Sequence, residues 1–351
     1  MIRHHMNSRH LGRTGVLVSP LTLGAMNFGA WANRDHDEAI RIVHRALDAG
    51  ITVVDTADVY SQGENEEIVG RALAGRRDRV VLATKFHGQI GTDPNSQGNS
   101  RRWILRAVED SLRRLGTDHI DLYQVHRPDP DLPLEETLWA LDDLVTAGKI
   151  RYYGTTTFEP HQLVEAQWVA ADRQLRGPVT EQPPYSILAR GAERATLPIA
   201  QQYGLGVLTW SPLAGGWLSG RYRSGTDAPA STRLGRQPHR HDPALPVNRR
   251  KRALAEELGK LADEAGLPLV QLALAFVLHH PAVSTVIIGP RTLDQLDGQL
   301  GAVDVRLGAD VLDRIDEIVA PGVTVSPADE GYLPPSLTDS ALRRRVPGAR
   351  R

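Results

Sequence analysis

The fold is decided by residues 101–155, RRWILRAVEDSLRRLGTDHIDLYQVHRPDPDLPLEETLWALDDLVTAGKIRYYGT, where two helical patterns alternate with two β-rich runs. Apolar residues recur at helical spacing over 104–115 and over 138–145, and a glycine follows each pattern. The runs 120–125 and 150–155 are short and rich in β-branched and aromatic residues, as strands are. This stretch therefore predicts two successive units of helix and parallel strand.

Eight β-rich runs of this kind occur along the chain, and helical patterns separate most of them. They are residues 21–25, 51–55, 80–84, 120–125, 150–155, 178–182, 206–210 and 285–288. Eight strands with interleaved helices predict an α/β protein with a (β/α)₈ TIM barrel. The alternative, an open doubly wound sheet, normally carries a glycine fingerprint after its first strand, and the glycines over 24–29 have the wrong spacing for it.

Three segments lie outside the alternation. Residues 9–19 contain two glycines in turn-like settings, which predicts an N-terminal hairpin across one mouth of the barrel. Residues 224–248 are rich in Pro, Arg, Gly and His and are too long for a simple connection, as lids and disordered loops are. Residues 321–351 are rich in Pro and Arg, and we expect a partly flexible, solvated end. The whole chain, 1–351, is predicted to form one barrel domain.

Composition excludes several classes of function. The 351 residues are 41% hydrophobic and 24% charged with a net charge of -1, so no global field would attract nucleic acid or an anionic membrane. With no cysteine, disulfides, thiolate nucleophiles and Cys-ligated metals are excluded, and the 13 histidines show no zinc-protease spacing, so we expect no metal site. The longest apolar run, 269–278, is too short to span a bilayer, and the N-terminus lacks the apolar region of an export signal. We expect a cytoplasmic protein.

Four polar residues stand at or just after the ends of neighbouring predicted strands. Asp55 ends the second strand, Tyr60 follows in the next loop, Lys85 comes directly after the third and His126 directly after the fourth. Chemistry in a barrel of this type occurs at the C-terminal ends of its strands. A phenol can protonate a carbonyl oxygen as hydride reaches the carbon, and a nearby ammonium would lower the phenol pKa. Asp55 would hold Lys85 in place, while His126 would orient the carbonyl oxygen.

Other interpretations of these residues are open at this point. Taken singly, Asp55 can cap a turn, Lys85 can be a surface charge, Tyr60 can be a pocket wall and His126 can be a satisfied polar residue. A Schiff-base aldolase would use Lys85 as the nucleophile, since such enzymes also place a lysine on a barrel strand. It would leave Asp55 and Tyr60 without a role.

The same segments resemble those of the aldo-keto reductases, and bacterial members of that family in particular. The motifs are DTADVY at 55–60, ATK at 83–85 and DLYQVH at 121–126. The resemblance implies that Asp55, Tyr60, Lys85 and His126 are catalytic, with Tyr60 as the general acid during reduction. It also implies a nicotinamide cofactor lying extended across the top of the barrel, without a Rossmann domain.

The resemblance extends to residues that would bind this cofactor. Gln182 matches the residue that hydrogen-bonds the carboxamide, and Trp210 matches the aromatic that stacks on the nicotinamide ring. Arg291 favours NADPH over NADH because a guanidinium can clamp the 2′-phosphate. The full set that the resemblance implies is Met26, Asp55, Thr156, Thr157, Gln182, Trp210, Ser211, Leu213, Gly215, Arg221, Gly289, Arg291, Gln295 and Gln299. Thr157 and Gln299 depart from the family's usual residues.

The loops that would select the substrate are the part of the sequence that gives the least information about function. Trp31, Phe86, His87 and Arg127 follow strand ends and are candidates for the pocket wall, and so is part of the Pro-rich C-terminal tail. The resemblance to bacterial members implies a small-molecule carbonyl substrate, either a keto sugar or an aldehyde or simple ketone. The potassium-channel β subunits share the implied fold, so a non-catalytic NADPH-binding module is the alternative function. The oligomeric state is open, and a homo-oligomer is compatible with the sequence.

Overall fold

The chain folds around a closed barrel of eight parallel strands in the computed structural model, which describes residues 6–223 and 237–344. The barrel strands are β3 (Leu21–Gly24), β4 (Val53–Asp55), β5 (Val81–Phe86), β6 (Ile120–Val125), β7 (Ile150–Thr156), β8 (Thr180–Gln182), β9 (Gly206–Thr209) and β10 (Val283–Ile288). Neighbours in the barrel are neighbours in sequence, and β10 closes the ring by pairing with both β9 and β3. The predicted (β/α)₈ barrel is confirmed.

Twelve helices accompany the strands in the described part of the chain. They are α1 (His36–Asp48), α2 (Glu64–Leu73), α3 (Arg101–Leu115), α4 (Leu134–Thr146), α5 (Pro160–Asp172), α6 (Thr196–Tyr203), α7 (Pro238–His241), α8 (Pro246–Glu264), α9 (Leu269–His279), α10 (Leu293–Leu300), α11 (Ala309–Ile318) and α12 (Pro335–Thr338). Helix α3 shows how the sequence sets their ends. Ser100 caps it by accepting from the Trp103 amide, and Gly116 ends it at a left-handed φ of 63°.

The N-terminal hairpin closes the bottom of the barrel. Strands β1 (Arg9–His10) and β2 (Leu17–Val18) pair antiparallel, and the buried Leu11 and Val18 pack against side chains inside the barrel. The Arg9 guanidinium donates to the Leu278 and Val283 carbonyl oxygens at 3.1 and 2.9 Å. The predicted hairpin is confirmed, and it leaves the opposite, C-terminal mouth of the barrel open for chemistry.

The C-terminal segment, by contrast, is not simply a solvated end. The Val325 amide donates to the Leu188 carbonyl at 3.0 Å, and the Arg190 amide donates to the Val323 carbonyl at 3.0 Å. Asp329 is 3% exposed. The segment therefore packs across the top of the barrel as far as Gly331, while 335–344 are exposed.

Two further expectations fall partly outside the described residues. Of the predicted lid or disordered loop at 224–248, only 237–248 is described, and it includes α7. The last seven residues of the basic end, 345–351, also lie outside. Over 6–223 and 237–344, no single helix has both the length and the apolarity to cross a membrane, although α8 and α9 together reach these limits with a 92° bend between them.

Candidate active site

The structure brings the four predicted strand-end residues to one place. The Lys85 side chain is completely buried, and its ammonium donates to Asp55 Oδ2 at 2.7 Å and to the Thr56 carbonyl at 2.7 Å. The third neighbour of that ammonium is the Tyr60 hydroxyl at 3.4 Å. The rings of Tyr60 and His126 meet edge to face with centroids 5.8 Å apart. A phenol therefore lies between an ammonium and an imidazole.

The second oxygen of Asp55 is held by two amides. Gln182 and Gln124 donate to Asp55 Oδ1 at 3.0 and 3.3 Å, and Gln182 also donates to Gln124 Oε1 at 3.3 Å. Gln124 escaped the sequence analysis. Gln124 lies on β6, two residues before His126, and this spacing could have indicated it, because alternate residues of a strand point to the same face.

Burial and charge act in opposite directions on the site. Burial raises the pKa of Tyr60 and the Lys85 ammonium opposes it, and the net pKa stays above its ordinary value. The expected lowering by Lys85 is present, but burial outweighs it. Burial also lowers the pKa of Lys85, yet Asp55 and Tyr60 reverse this and raise it overall. A lysine nucleophile needs a lowered pKa, so this result argues against the aldolase interpretation.

His126 is electrically neutral near pH 7 and is fixed through its backbone. Burial, followed by the charges of Arg127 and Lys85, lowers the pKa of His126 well below its ordinary range. The Thr156 hydroxyl and Arg127 Nη1 both donate to the His126 carbonyl. Thr156 is buried and does not line the cleft described next, so its predicted cofactor contact stays a prediction.

A cleft of about 970 Å³ runs from this site across the top of the barrel. Most of the residues that the resemblance assigned to the cofactor line it, namely Met26, Asp55, Gln182, Trp210, Ser211, Leu213, Gly215, Arg221, Gly289, Arg291, Gln295 and Gln299. Thr157 does not line the cleft. It adopts a φ of 54°, and its hydroxyl donates to the Thr156 carbonyl at 2.7 Å.

One stretch of the cleft lining has an unusual backbone conformation. Ser211, Ala214, Gly215 and Gly216 all have positive φ, between 49° and 108°. Backbone of this kind can direct N–H groups to one side, where an anion such as a phosphate can bind. The Gly215 amide itself donates to Ser211 Oγ at 3.0 Å.

The segment that carries Arg291 is held by side chains on both sides. Gln295 Oε1 accepts from the Arg291 amide at 2.9 Å, and Asn33 donates to the Arg291 carbonyl at 3.0 Å. Asn27 donates to the Gly289 carbonyl at 2.7 Å. Gln295 therefore positions this turn as well as lining the cleft, and both asparagines are positioning residues that the sequence analysis missed.

The four predicted substrate residues divide into two pairs. Trp31 and Arg127 line the cleft, and the Trp31 ring lies 5.8 Å from that of Tyr60. Phe86 does not line the cleft, because it follows the inward-pointing Lys85 on β5 and packs in the core against Tyr123. His87 is turned to Asn99, whose side-chain oxygen lies 2.9 Å from its Nδ1. The structure therefore does not support substrate contacts for Phe86 and His87.

The C-terminal segment contributes wall residues, as the sequence analysis expected for part of the Pro-rich tail. Ala328 and Gly331 line the cleft, and a Cβ at Gly331 would lie 2.5 Å from the Trp210 ring. Asp329 anchors the segment through ion pairs with Arg240, at 2.8 Å, and with Lys251. The cleft is therefore built from both halves of the chain.

A second buried carboxyl group lies inside the DTADVY motif. Both side-chain oxygens of Asp58 are buried, and no side chain in the described part of the molecule donates a hydrogen bond to them. Burial, followed by the nearby Glu66, raises the pKa of Asp58 well above its ordinary range. Across 6–223 and 237–344, no group of three or more His, Cys, Asp or Glu residues is arranged to hold a metal ion.

The barrel and its site define a class of protein. A buried Lys–Asp pair, a phenol and an imidazole at the strand ends, beside a long cleft, are typical of a (β/α)₈ oxidoreductase that acts on carbonyl groups. The sequence model of the Aldo/keto reductase family matches residues 20–320, and the chain belongs to this family. The resemblance seen in the sequence is confirmed.

Relatives extend over nearly the whole chain. The uncharacterized oxidoreductase YrpG of Bacillus subtilis is 41% identical over 325 residues, covering 89% of this chain and 96% of YrpG. A probable voltage-gated potassium channel subunit beta of Arabidopsis thaliana is 38% identical over 333 residues, covering 90% and 97%. Versiconal hemiacetal acetate reductase of Aspergillus parasiticus is 32% identical over 346 residues, covering 90% and 98%. Family and relatives support an oxidoreductase.

Proposed function

We propose that the protein is an NADPH-dependent reductase of aldehydes or ketones, with Tyr60 as the general acid. One observation carries the proposal: a fully buried Lys85 bridges the Asp55 carboxylate and the Tyr60 hydroxyl at the floor of the cleft. The resemblance to bacterial relatives adds keto sugars as candidate substrates, and the proposed setting is the cytoplasm.

The cleft residues fit a nicotinamide dinucleotide. Gln299 Oε1 is buried without a partner in the described chain, which suits an acceptor for an amino group of a base. The positive-φ backbone at 211–216 suits the pyrophosphate, and Arg291 suits a 2′-phosphate. Trp210 offers a flat face for the nicotinamide. Such a cofactor, when bound, supplies the hydride.

The roles of the protein's own groups follow from their charges. The raised pKa of Tyr60 keeps its proton on the phenol at neutral pH, so the proton is available to a carbonyl oxygen. As the proton leaves, the Lys85 ammonium stabilises the phenolate. Asp55 and the Thr56 carbonyl keep that ammonium in place. Neutral His126 can donate a hydrogen bond that orients the carbonyl oxygen.

The test is NADPH consumption by Tyr60→Phe and wild type with aldehydes, simple ketones and keto sugars. We expect kcat to fall about 10²–10⁴-fold, the usual contribution of a general acid, with an unchanged Kd for NADPH. Tyr203→Phe, at a half-buried tyrosine on α6 away from the cleft, is the matched control. Full activity of Tyr60→Phe would contradict the assigned role.

Cofactor choice has a separate test. Arg291→Ala should raise the Kd for NADPH about 10- to 100-fold and leave the Kd for NADH nearly unchanged, because only NADPH carries the 2′-phosphate. Arg102→Ala, at an exposed arginine on α3, is the control. Equal losses for both cofactors would show that Arg291 acts on a part that the two share.

A non-catalytic NADPH-binding module is the second candidate, because a relative 38% identical is named a potassium channel subunit. The panel above distinguishes the two. A module binds NADPH and reduces none of the carbonyl compounds, whereas a reductase turns over at least one of them.

A further inference from the structure

Arg127 is a half-buried cation in the cleft wall beside the reacting groups. Its Nη1 donates to the His126 carbonyl at 2.5 Å and to Thr156 Oγ1 at 3.4 Å. Within the described part of the chain, Nε and Nη2 have no hydrogen-bond partner, and no carboxylate lies within 4.0 Å. The guanidinium is therefore held at one nitrogen, and much of its donor fork is unused.

The charge of Arg127 is not balanced from inside the protein. The acidic groups that act on it are the Tyr60 phenol and Glu181. Glu181 is completely buried, where it accepts from the Thr155 hydroxyl and the Phe158 amide. Burial raises the pKa of Glu181 to about 8, so this group is mostly neutral at pH 7.

In the described part of the chain, the other carboxylates near the mouth do not pair with Arg127. Asp55 is paired with Lys85. Burial, followed by Glu159, Asp129 and Asp131, raises the pKa of Tyr332, so these carboxylates lie near the C-terminal segment. Burying a charge without a partner costs free energy, and a ligand that brings an oxyanion would remove that cost.

We propose that Arg127 binds an oxyanion of the substrate, a carboxylate or a phosphate, close to the reacting carbonyl group. Its planar fork can form two parallel hydrogen bonds with either anion. The preferred substrates are then aldehydes or ketones that carry such a group. This inference rests on the proposed function, since it names that enzyme's substrate class.

The first test compares matched substrates that differ only in the anion. Butanal is paired with 4-oxobutanoate, and glyceraldehyde with glyceraldehyde 3-phosphate, so the two pairs distinguish carboxylate from phosphate. For at least one pair, wild type should show a kcat/KM at least tenfold higher for the anionic member. Arg127→Met should lose about 10- to 100-fold on that member and little on the neutral one, the range for removing a charge-assisted hydrogen bond. On the anionic member, Arg127→Lys should have a kcat/KM between those of wild type and Arg127→Met.

Thr156→Val is the matched control, because it removes the other side-chain donor to the His126 carbonyl without changing charge. It should affect both members of a pair equally. If Arg127→Met also affects both equally, Arg127 only positions His126 and the inference is wrong. The inference is also wrong if wild type does not distinguish the members of either pair.

A binding measurement separates this inference from the proposed function. Butanoate or glycerol 3-phosphate, neither of which carries a carbonyl group to reduce, is titrated by calorimetry into wild type and Arg127→Met. We expect the Kd of at least one to rise tenfold or more in the variant. If that shift occurs and no aldehyde is reduced, the anion site stands and the reductase proposal fails. If reduction occurs and both anions bind wild type and Arg127→Met with the same Kd, the reductase proposal stands and the anion site fails.

Discussion

Replacing Lys85 by methionine should destabilise the protein through the charge that it leaves behind. The ammonium is completely buried and has three oxygen neighbours, at 2.7, 2.7 and 3.4 Å. Its loss leaves the Asp55 carboxylate, which is 3% exposed, without its cation and with only the amides of Gln182 and Gln124 as donors. Removing one partner of a buried pair costs about 3–5 kcal/mol of unfolding free energy.

The assay is urea unfolding at pH 7, followed by tryptophan fluorescence. Asp55→Asn combined with Lys85→Met leaves neither charge of this pair, so the double variant should recover at least half of the loss, about 2 kcal/mol. Lys149→Met is the control, since Lys149 forms a partly exposed pair with Glu109 and should cost less than about 1 kcal/mol.

The pH dependence of this contribution has a definite sign. The pKa of Lys85 is raised in the folded state, so the stabilisation is complete at pH 7. It is lost only as the pH rises through the folded-state pKa of Lys85. A loss from Lys85→Met no larger than that of the control would refute the reasoning. A double variant as unstable as the single variant would also refute it, because it would show that the unpaired Asp55 carboxylate does not cause the loss of stability.

Three further predictions follow from buried titratable groups. The unfolding free energy of the wild type should fall by up to about 1.4 kcal/mol per pH unit between the ordinary Glu181 pKa of 4.5 and the folded value of about 8, and Glu181→Gln should remove this fall. Urea unfolding across that pH range measures it, and parallel pH curves for the two proteins would contradict it. Asp329→Ala leaves Arg240 and Lys251 without their carboxylate, so we expect faster proteolysis of the C-terminal segment and about 3–5 kcal/mol less stability; wild-type cleavage rates would argue otherwise. Because the pKa of His126 is far below 6.5, kcat/KM should show no inflection near that pH, and an inflection that His126→Ala abolishes would show that the imidazole titrates there.

The barrel and the meeting of the four strand-end residues were predictable because both depend on local pattern. In a (β/α)₈ barrel the strands follow one another in order, so residues at the ends of successive runs are brought together without any further information. Asp55, Lys85 and His126 satisfy this rule. Phe86 does not, because a single step along a strand turns a side chain from the interior to the outer face.

The rest of the site depends on contacts that leave no local pattern. The C-terminal segment has no periodicity, yet Gly331 lies against Trp210, more than a hundred positions away along the chain. Glu181 lies on β8 and is enclosed with backbone amides and a hydroxyl, and its unusual pKa is a property of that enclosure. A sequence can indicate that such residues are polar, but their partners are set by the packed chain.

Closure of the barrel also has a consequence for synthesis. Thr22 on β3 and Thr285 on β10 bond side chain to side chain at 2.8 Å, and 263 positions separate them. At about 5–20 residues per second, the first barrel strand waits roughly 13–53 s on the ribosome before its last neighbour emerges. Until then the growing sheet has an open edge, the kind of surface that promotes misassociation. The period of greatest risk for this protein is therefore the interval before Val283–Ile288 is made.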